Sequence, residues 1–484
     1  MHFVSARQFQ PGDAVLLRRG AECSGTLWPK GSGAAGAPIL LGAWGTGPLP
    51  KVRAEAGAEA AFRLLDQQYW TIEHIEFIGG NPHGMFISGV RPGVLRGIRV
   101  REVIVHGVTG EPKTKEGGLL VIAPSAAGER FDDIIVEGVT AYGSSQWSGI
   151  MVGSLAFDVL PEEARSTNVT IRNSLVHNVA GDGIVLFQVN HGSIEDSVAW
   201  YTGLQETQTI GTPNAIWTWM CRACAVRRCE AFLADSPGVD GGAFDIDYGN
   251  DDNVVEDSYA HDVQGYCAAI FGAGRVTTNS VLRRNTCAGN GRSPRLALRQ
   301  GDIYLSTWDK GRLKGVEITG NRIFWNPPIA APAIVNTAEI DGTPVIERNE
   351  IEHRLPPAAL ASQARWRLFA FLADDAGSRS QVALLESAHR QFHPAGLDLK
   401  ILMPGGAPEP SLAWDWNLGT IAIEAGDAAL RERLHISRLP ALVLVDSAGQ
   451  IAWRHDGPVT PGDLGLALLA HVGRPNYARL ISEQ

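Results

Sequence analysis

Arg172-Asn173-Ser174-Leu175-Val176-His177-Asn178 recurs, loosely, down the chain. The same pattern of a polar corner followed by a short apolar run is seen in Glu195-Asp196-Ser197-Val198-Ala199-Trp200-Tyr201 and Glu256-Asp257-Ser258-Tyr259-Ala260-His261-Asp262. It returns in Arg284-Asn285-Thr286-Cys287-Ala288-Gly289-Asn290, Gly320-Asn321-Arg322-Ile323-Phe324-Trp325-Asn326 and Arg348-Asn349-Glu350. A variant, Arg228-Cys229-Glu230-Ala231-Phe232-Leu233-Ala234, lies between the second and third copies. The spacing from Asn173 to Asn349 averages about 29 residues per step, the signature of a solenoid whose coils bury their faces only on one another. Each corner Asn or Asp is expected to turn the chain and bond its own backbone.

A second column precedes these corners: Gly84-Met85-Phe86-Ile87, Gly149-Ile150-Met151-Val152, Gly183-Ile184-Val185-Leu186-Phe187, Ala215-Ile216-Trp217-Thr218-Trp219, Ala243-Phe244-Asp245-Ile246-Asp247 and Asp302-Ile303-Tyr304-Leu305-Ser306. Strand alternation places Ile150, Ile184, Ile216, Phe244 and Ile303 inward. Val185, Phe187, Trp217, Trp219, Asp245, Asp247, Tyr304 and Ser306 then share one outward face.

Composition agrees with a folded chain. The 484 residues are 44% hydrophobic with mean hydropathy −0.04, which excludes a disordered or fibrous chain. The 55 glycines and 27 prolines point to one kind of turn used many times. A net charge of −10 argues against a nucleic-acid partner. No apolar run is long enough for a membrane-spanning helix. The first residues, Met1-His2-Phe3-Val4-Ser5, lack the features of a signal peptide. Localisation is therefore left unknown: cytoplasmic if Met1 is native, periplasmic or secreted if the N-terminus is trimmed. Of the six cysteines, Cys221-x-x-Cys224 lies in an expected strand with no second ligand pair, so buried structural thiols are expected rather than a metal.

The chain divides into unlike parts. Residues 1–355 carry the strand repeats, 356–365 with Pro356 and Pro357 form a linker, and 366–484 alternate strand with helix. The first part resembles the right-handed parallel β-helix, pectin-lyase-like family of bacterial carbohydrate-active proteins. The resemblance is carried by Phe9-Gln10-Pro11-Gly12-Asp13, by Gly25-Thr26-Leu27-Trp28-Pro29-Lys30-Gly31 through Gly45, and by Gly241-Gly242-Ala243-Phe244-Asp245-Ile246-Asp247 leading to Ala260-His261-Asp262. Members of that family carry a further segment before this opening. The second part resembles a thioredoxin-like domain of the disulfide-reductase type: Trp366 to Ser380 stands where strand, Cys-x-x-Cys and helix would be, and Arg438-Leu439-Pro440 looks like its cis-proline strand. Ala376 and Arg379 occupy the two cysteine positions, which removes thiol chemistry and leaves packing, self-association or a protein partner as its role. The expected fold is thus mainly β, a right-handed parallel β-helix followed by a small α/β domain.

Two further motifs are set aside. Gly31-Ser32-Gly33-Ala34-Ala35-Gly36 fits a dinucleotide motif by letters, but Pro38 and a strand follow instead of a helix, so a turn is expected. Asn81-Pro82-His83-Gly84 invites comparison with the Asp-Pro-His-Asp motif of alginate epimerases, but both acidic positions are missing.

A flat solenoid face suits a carbohydrate polymer. Asp245 and Asp247, at i and i+2, point from one strand with Cα atoms about 6–7 Å apart. Paired carboxyls titrate apart and can supply an acid and a base for glycoside hydrolysis. Asp182 and Asp302, read as corresponding positions in other coils, are further catalytic candidates. Trp217, Trp219, Phe187, Phe271 and Tyr304 are candidate exposed sugar platforms, His261, Arg275 and Lys310 candidate polar partners, and Trp308 a candidate wall closing the groove. The leading expectation is a glycoside hydrolase without cofactor. The alternatives are a uronate lyase or epimerase, for which Ca2+ would enter, a cation held by Asp245 and Asp247 with Asp251 and Asp252, and a non-catalytic glycan-binding or assembly module.

Overall fold

The computed structural model describes residues 2–126, 128–154, 159–205, 210–360, 365–405, 409 and 411–482. Short apolar strands stack coil on coil into parallel sheets of twelve, twelve and ten strands, with a three-stranded sheet beside them. Consecutive coils pair in register, as in Ile150↔Ile184, Ile184↔Ile216, Ile216↔Phe244 and Ala268↔Ile303. These side chains are fully buried in one continuous core that runs the length of the solenoid. The architecture is a parallel β-helix.

The corners follow the repeats with one difference. The residues that turn the chain through the left-handed region are Asn173, Asp196, Arg228, Asp257, Arg284, Gly320 and Arg348, all with φ between 49° and 65°. In the later coils the asparagine stands one position further on, and its partner is the neighbouring coil, not its own backbone. Asn349 Oδ1 accepts from the Asn321 N–H at 3.0 Å, Asn321 Oδ1 from the Asn285 N–H at 2.9 Å, and Asn285 Oδ1 from the Ser258 N–H at 3.0 Å. Serine hydroxyls do the same earlier, Ser258 toward Cys229 and Ser197 toward Ser174. A buried N–H that falls between ladders must find an acceptor, and a short polar side chain on the next coil supplies one. The coils so joined differ in length, from 23 to 36 residues.

The Gly31–Gly36 stretch is a turn. A Cβ on Gly31 would fall on the Phe9 carbonyl, and one on Gly33 on the Tyr69 carbonyl, so backbone fills the space a nucleotide would need. Cys221, Cys224 and Cys229 are buried free thiols, whereas Cys267 and Cys287 form a disulfide that the sequence reading did not foresee.

After the last solenoid strand, Glu350–Glu352, the chain builds a separate five-stranded mixed sheet. Its strands run in the order Ala422–Ala425, Leu397–Met403, Trp366–Phe371, Ala441–Val445, Ile451–Asp456, the last two antiparallel to their neighbours. Part of the expected linker, residues 361–364, lies outside the described residues. The Leu439–Pro440 bond is cis.

This second sheet docks through the helix Val382–Phe392. Ala383, Ser387 and Gln391, spaced by four, face the solenoid: Ala383 packs with Leu175, Val198 and Trp200, and Ser387 and Gln391 donate to Glu230 at 2.7 and 2.9 Å. Below them His106, Tyr142, His177, Trp200, Phe232 and His261 stack ring on ring, one from each successive coil, with centroids 4.3–5.6 Å apart. Arg379, at the second cysteine position of the resembled motif, donates to Glu102 of the solenoid at 2.8 Å, and Arg19 pairs with Asp415.

Candidate active site on the β-helix face

The ten-stranded sheet presents two outward columns. One reads Met151, Val185, Trp217, Asp245, Ala269, Tyr304 in register. The other runs Gly153, Phe187, Trp219 on one side of Asp247 and Phe271, Ser306 on the other. Over the stretch from Trp217 to Ser306 lies a cleft of about 310 Å³. Lys115, Asp240, Asp245 and Asp247 contribute charge to its lining, and Trp217, Tyr248, Phe271, Tyr304 and Trp308 contribute aromatic surface. The helix Pro294–Gln300 closes it with Arg299 and Gln300. Such a volume sits at the small end of ligand pockets, about 300–1,000 Å³. The expected open face is therefore a bounded cleft.

The aromatic walls are more enclosed than expected. Trp217, Trp219, Phe187, Phe271 and Tyr304 are all buried, and only Trp308, at 43%, is exposed. They hold one another edge-on: Phe271 lies 5.4 Å from Tyr304 and 5.6 Å from Trp308, and Tyr248 lies 6.0 Å from Trp308.

Asp245 is oriented by a chain of buried groups. The Asn214 side-chain oxygen accepts from the Gly242 N–H at 2.9 Å and the Tyr266 hydroxyl at 3.0 Å, so its Nδ2 faces Asp245 Oδ2, to which it donates at 3.2 Å. Among the described residues Asp245 Oδ1 has no hydrogen-bond partner. Burial pushes the Asp245 carboxyl well above its ordinary range, with Asp247 and Asp240 adding and Lys115 opposing. Burial likewise pushes Asp247 up to about 7, against the Tyr248 N–H that bonds it at 2.8 Å. Asp240 is raised by burial, opposed by Thr212 and Lys115. Lys115 is the cation common to the group: its Nζ stands 3.8 Å from Asp182 Oδ2 and about 5 Å from the Trp147 and Trp217 rings. Several carboxyls in a dry cleft with one ammonium share protons. This arrangement can hold one acid and one base near neutral pH.

No family model and no curated protein matches the chain. Solved structures do. The β-helix is similar in fold to a GH136 lacto-N-biosidase. The Eubacterium ramulus enzyme, in native and selenomethionine forms, aligns at a TM-score of 0.54 and 20% identity over 72% of this chain. The chain spans 63–64% of that structure's length. A mannuronic acid specific polysaccharide family 6 lyase from human gut microbiota aligns over 90% of both chains at 10% identity and a TM-score of 0.40. At 20% identity the likeness to the lacto-N-biosidase is one of fold.

Within this β-helix the residues singled out from sequence fall into three groups. Asp245, Asp247, Trp217, Phe271, Tyr304 and Trp308 meet in the cleft. Asp182 borders it from beneath, held by the Trp147 indole, the Asn214 N–H at 3.1 Å and Lys115. Trp219 and Phe187 continue the apolar face beside it, 5.6 Å apart edge-on. The remaining residues lie outside the cleft lining. Asp302 is buried against Asn290 and the Cys267 N–H, because it precedes Ile303 by one residue while Asp182 precedes the paired Ile184 by two. The two are not corresponding positions after all. Arg275 and Lys310 stand exposed at the corner after their strands, outside the lining. His261 belongs to another sheet and meets Glu230 at 3.1 Å and Tyr477 at 3.1 Å at the domain junction. Asp251 is engaged by Thr278 and Arg222, and it lies in register with Arg222 and Thr278 around the corner from the cleft.

Sequence reading missed Lys115, Asp240, Asn214, Tyr266, Arg299 and Gln300. Asp240 carried a signal, since Gly241-Gly242 separates it from the Asp245 strand. Lys115, in the loop after Ile104–Val108, carried none.

Proposed function

We propose that the protein is a glycoside hydrolase that takes a neutral oligosaccharide, or the end of a polysaccharide, with Asp245 as general acid and Asp247 as base. The observation that carries this reading is the pair formed by Asp245, on the strand Phe244–Ile246, and Asp247, just past its end, in a cleft walled by Trp217, Phe271, Tyr304 and Trp308. Asp245 has the stronger reason to keep its proton, being more buried and flanked by Asp247 and Asp240. Its Oδ1 is the atom free to protonate a leaving oxygen. Asp247, near 7, is the group that ionises first and acts on water or on the anomeric carbon. The aromatic rings offer flat apolar surface to the C–H faces of a sugar.

A neutral substrate fits the charge of the cleft. A uronate would enter against three carboxyls, Asp240, Asp245 and Asp247, with Lys115 already beside Asp182 and Arg299 the one further cation in the described lining. Arg275 and Lys310, the cations expected to serve a lyase, lie outside the lining. The fold likeness to a lacto-N-biosidase supports a glycan-active reading at the level of architecture. We take residues 366–484 as a thioredoxin-like module that covers the aromatic stack and carries no redox chemistry, residues 1–355 as the β-helix that carries the reaction, and 356–365 as the linker.

The test is a hydrolysis screen of neutral oligosaccharides with products read by mass. A gain of one water per cleavage, lost in Asp245→Asn and in Asp247→Asn, is the expected result. Cleavage without added water, or full activity in both variants, rejects the assignment.

A further inference from the structure

The helix that closes the cleft ends on an unusual residue. Gln300 is 0% exposed and lines the cleft beside Arg299 and Tyr304, yet neither Oε1 nor Nε2 has a hydrogen-bond partner among the described residues. A buried carboxamide left unpaired destabilises a fold, and buried polar atoms are ordinarily satisfied. An occupant of the cleft would supply what the protein does not.

The shape beside Gln300 says what kind of occupant. Along the outward column, Trp217, Asp245, Ala269 and Tyr304 stand on successive coils. Ala269 is buried in a cluster with Tyr266, Phe271 and Tyr304, and the cleft is lined on either side of it by Asp245 and Tyr304. Phe271 walls the cleft from the next outward position of the strand Ala268–Ala273. Asp245 Oδ1 is also buried without a partner among the described residues, an acceptor or acid on the same column. Apolar walls with a few unpaired donors and acceptors match the mixed surface of a sugar ring.

We propose that Gln300 is a substrate-recognition residue that grips two neighbouring hydroxyls of a neutral sugar seated in the cleft between Asp245 and Tyr304. The carboxamide offers one acceptor and two donors in a plane. Oε1 accepts from one hydroxyl, and Nε2 donates to the oxygen of its neighbour. A site of this kind selects against a sugar lacking either hydroxyl, because the unpaired amide is then left as it was. This inference rests on the glycan reading of the cleft and not on hydrolysis.

The test uses the full-length chain and two measurements. Gln300→Met keeps length and removes both polar atoms. Without sugar, its melting temperature should rise by about 1–2 °C, since an unpaired buried amide is gone. Binding is then measured by calorimetry in an Asp245→Asn background, against cello-, xylo-, manno- and galacto-oligosaccharides of two to four units. The tightest of these should bind Gln300→Met at least about tenfold more weakly, as expected for lost hydrogen bonds. Monodeoxy versions of that sugar should no longer be distinguished. A lower melting temperature in Gln300→Met, unchanged affinity, or no binding by any of these sugars overturns the proposal. Binding that depends on Gln300 without turnover by the unmodified protein rejects the hydrolase reading and leaves this role standing. Turnover with KM unchanged in Gln300→Met rejects this role and leaves the hydrolase.

Discussion

At the residue scale the decisive feature is a set of carboxyls gathered among aromatic rings, Asp245 buried and Asp240 and Asp247 half-buried. Asp247 is pushed up to about 7 by burial, so in the folded state it holds a proton that the unfolded chain has released. Its sign is unfavourable: between the unfolded value, about 4, and 7, each rise in pH lowers stability through this group. Asp247→Asn should therefore gain in melting temperature relative to the unmodified protein as pH climbs from about 4 to 7, with no further gain above. A gain independent of pH would show that Asp247 ionises normally. For catalysis, Asp245→Asn should lose about 10²–10⁴-fold in kcat, the usual range for a general acid, while unfolding nearly as before. Lys115 opposes the upward shift of both Asp245 and Asp247. Lys115→Met should move the acid limb of the pH–rate profile upward, and Lys115→Arg should restore it, as read from initial rates across pH.

At the scale of the element, a coil is closed by polar side chains that reach into the next coil. The resemblance among the corner repeats was legible because the left-handed turn recurs and tolerates Asn, Asp, Gly and even Arg. The direction of the hydrogen bonds was not legible. Asn321 illustrates why. Its neighbours in sequence show a turn, while its partners, the Asn285 N–H, the Leu282 carbonyl and Asn349, come from adjacent coils. Asn321→Ala should leave buried backbone groups unpaired and cost about 1–3 kcal/mol, measured by denaturant unfolding. The same change at the exposed turn residue Arg348 should cost less than about 0.5 kcal/mol.

At the scale of the whole molecule, a stack of outward rings would be a liability if uncovered. Around Trp200, Phe232 and His261 the helix Val382–Phe392 and Tyr477 cover it, and the junction is fastened by buried charge. His261 lies between Glu230 and Asp262; burial alone would lower its pKa, but the two carboxylates outweigh that and raise it. A raised histidine contributes stability that is full below its unfolded value, about 6.5, and fades as pH rises through the folded value. Glu230→Gln removes one of the carboxylates that hold the charge, though Ser387 and Gln391 also meet it there. It should weaken docking and flatten that dependence above about pH 6.5, measured as faster hydrogen exchange in Val382–Phe392. An unchanged pH dependence would place the proton elsewhere.

The repeated corners and the alternation of Ile150, Ile184, Ile216, Phe244 and Ile303 were enough to determine a stacked parallel solenoid, since coil closure and strand alternation are local in the chain and leave a periodic trace. The same alternation put Asp245 and Asp247 on the outward face beside Trp217 and Tyr304, because side-chain direction in a strand is set by counting in twos. What covers that face was decided only in three dimensions. Lys115 comes from a loop far back in the chain, Gln300 from a short helix inserted between coils, and His261 leaves the site altogether because the next corner carries it to another sheet. Insertions have no period, so their destination is set by packing. Packing also turned an open surface into a bounded cleft and raised the protons of its carboxyls by taking them out of water.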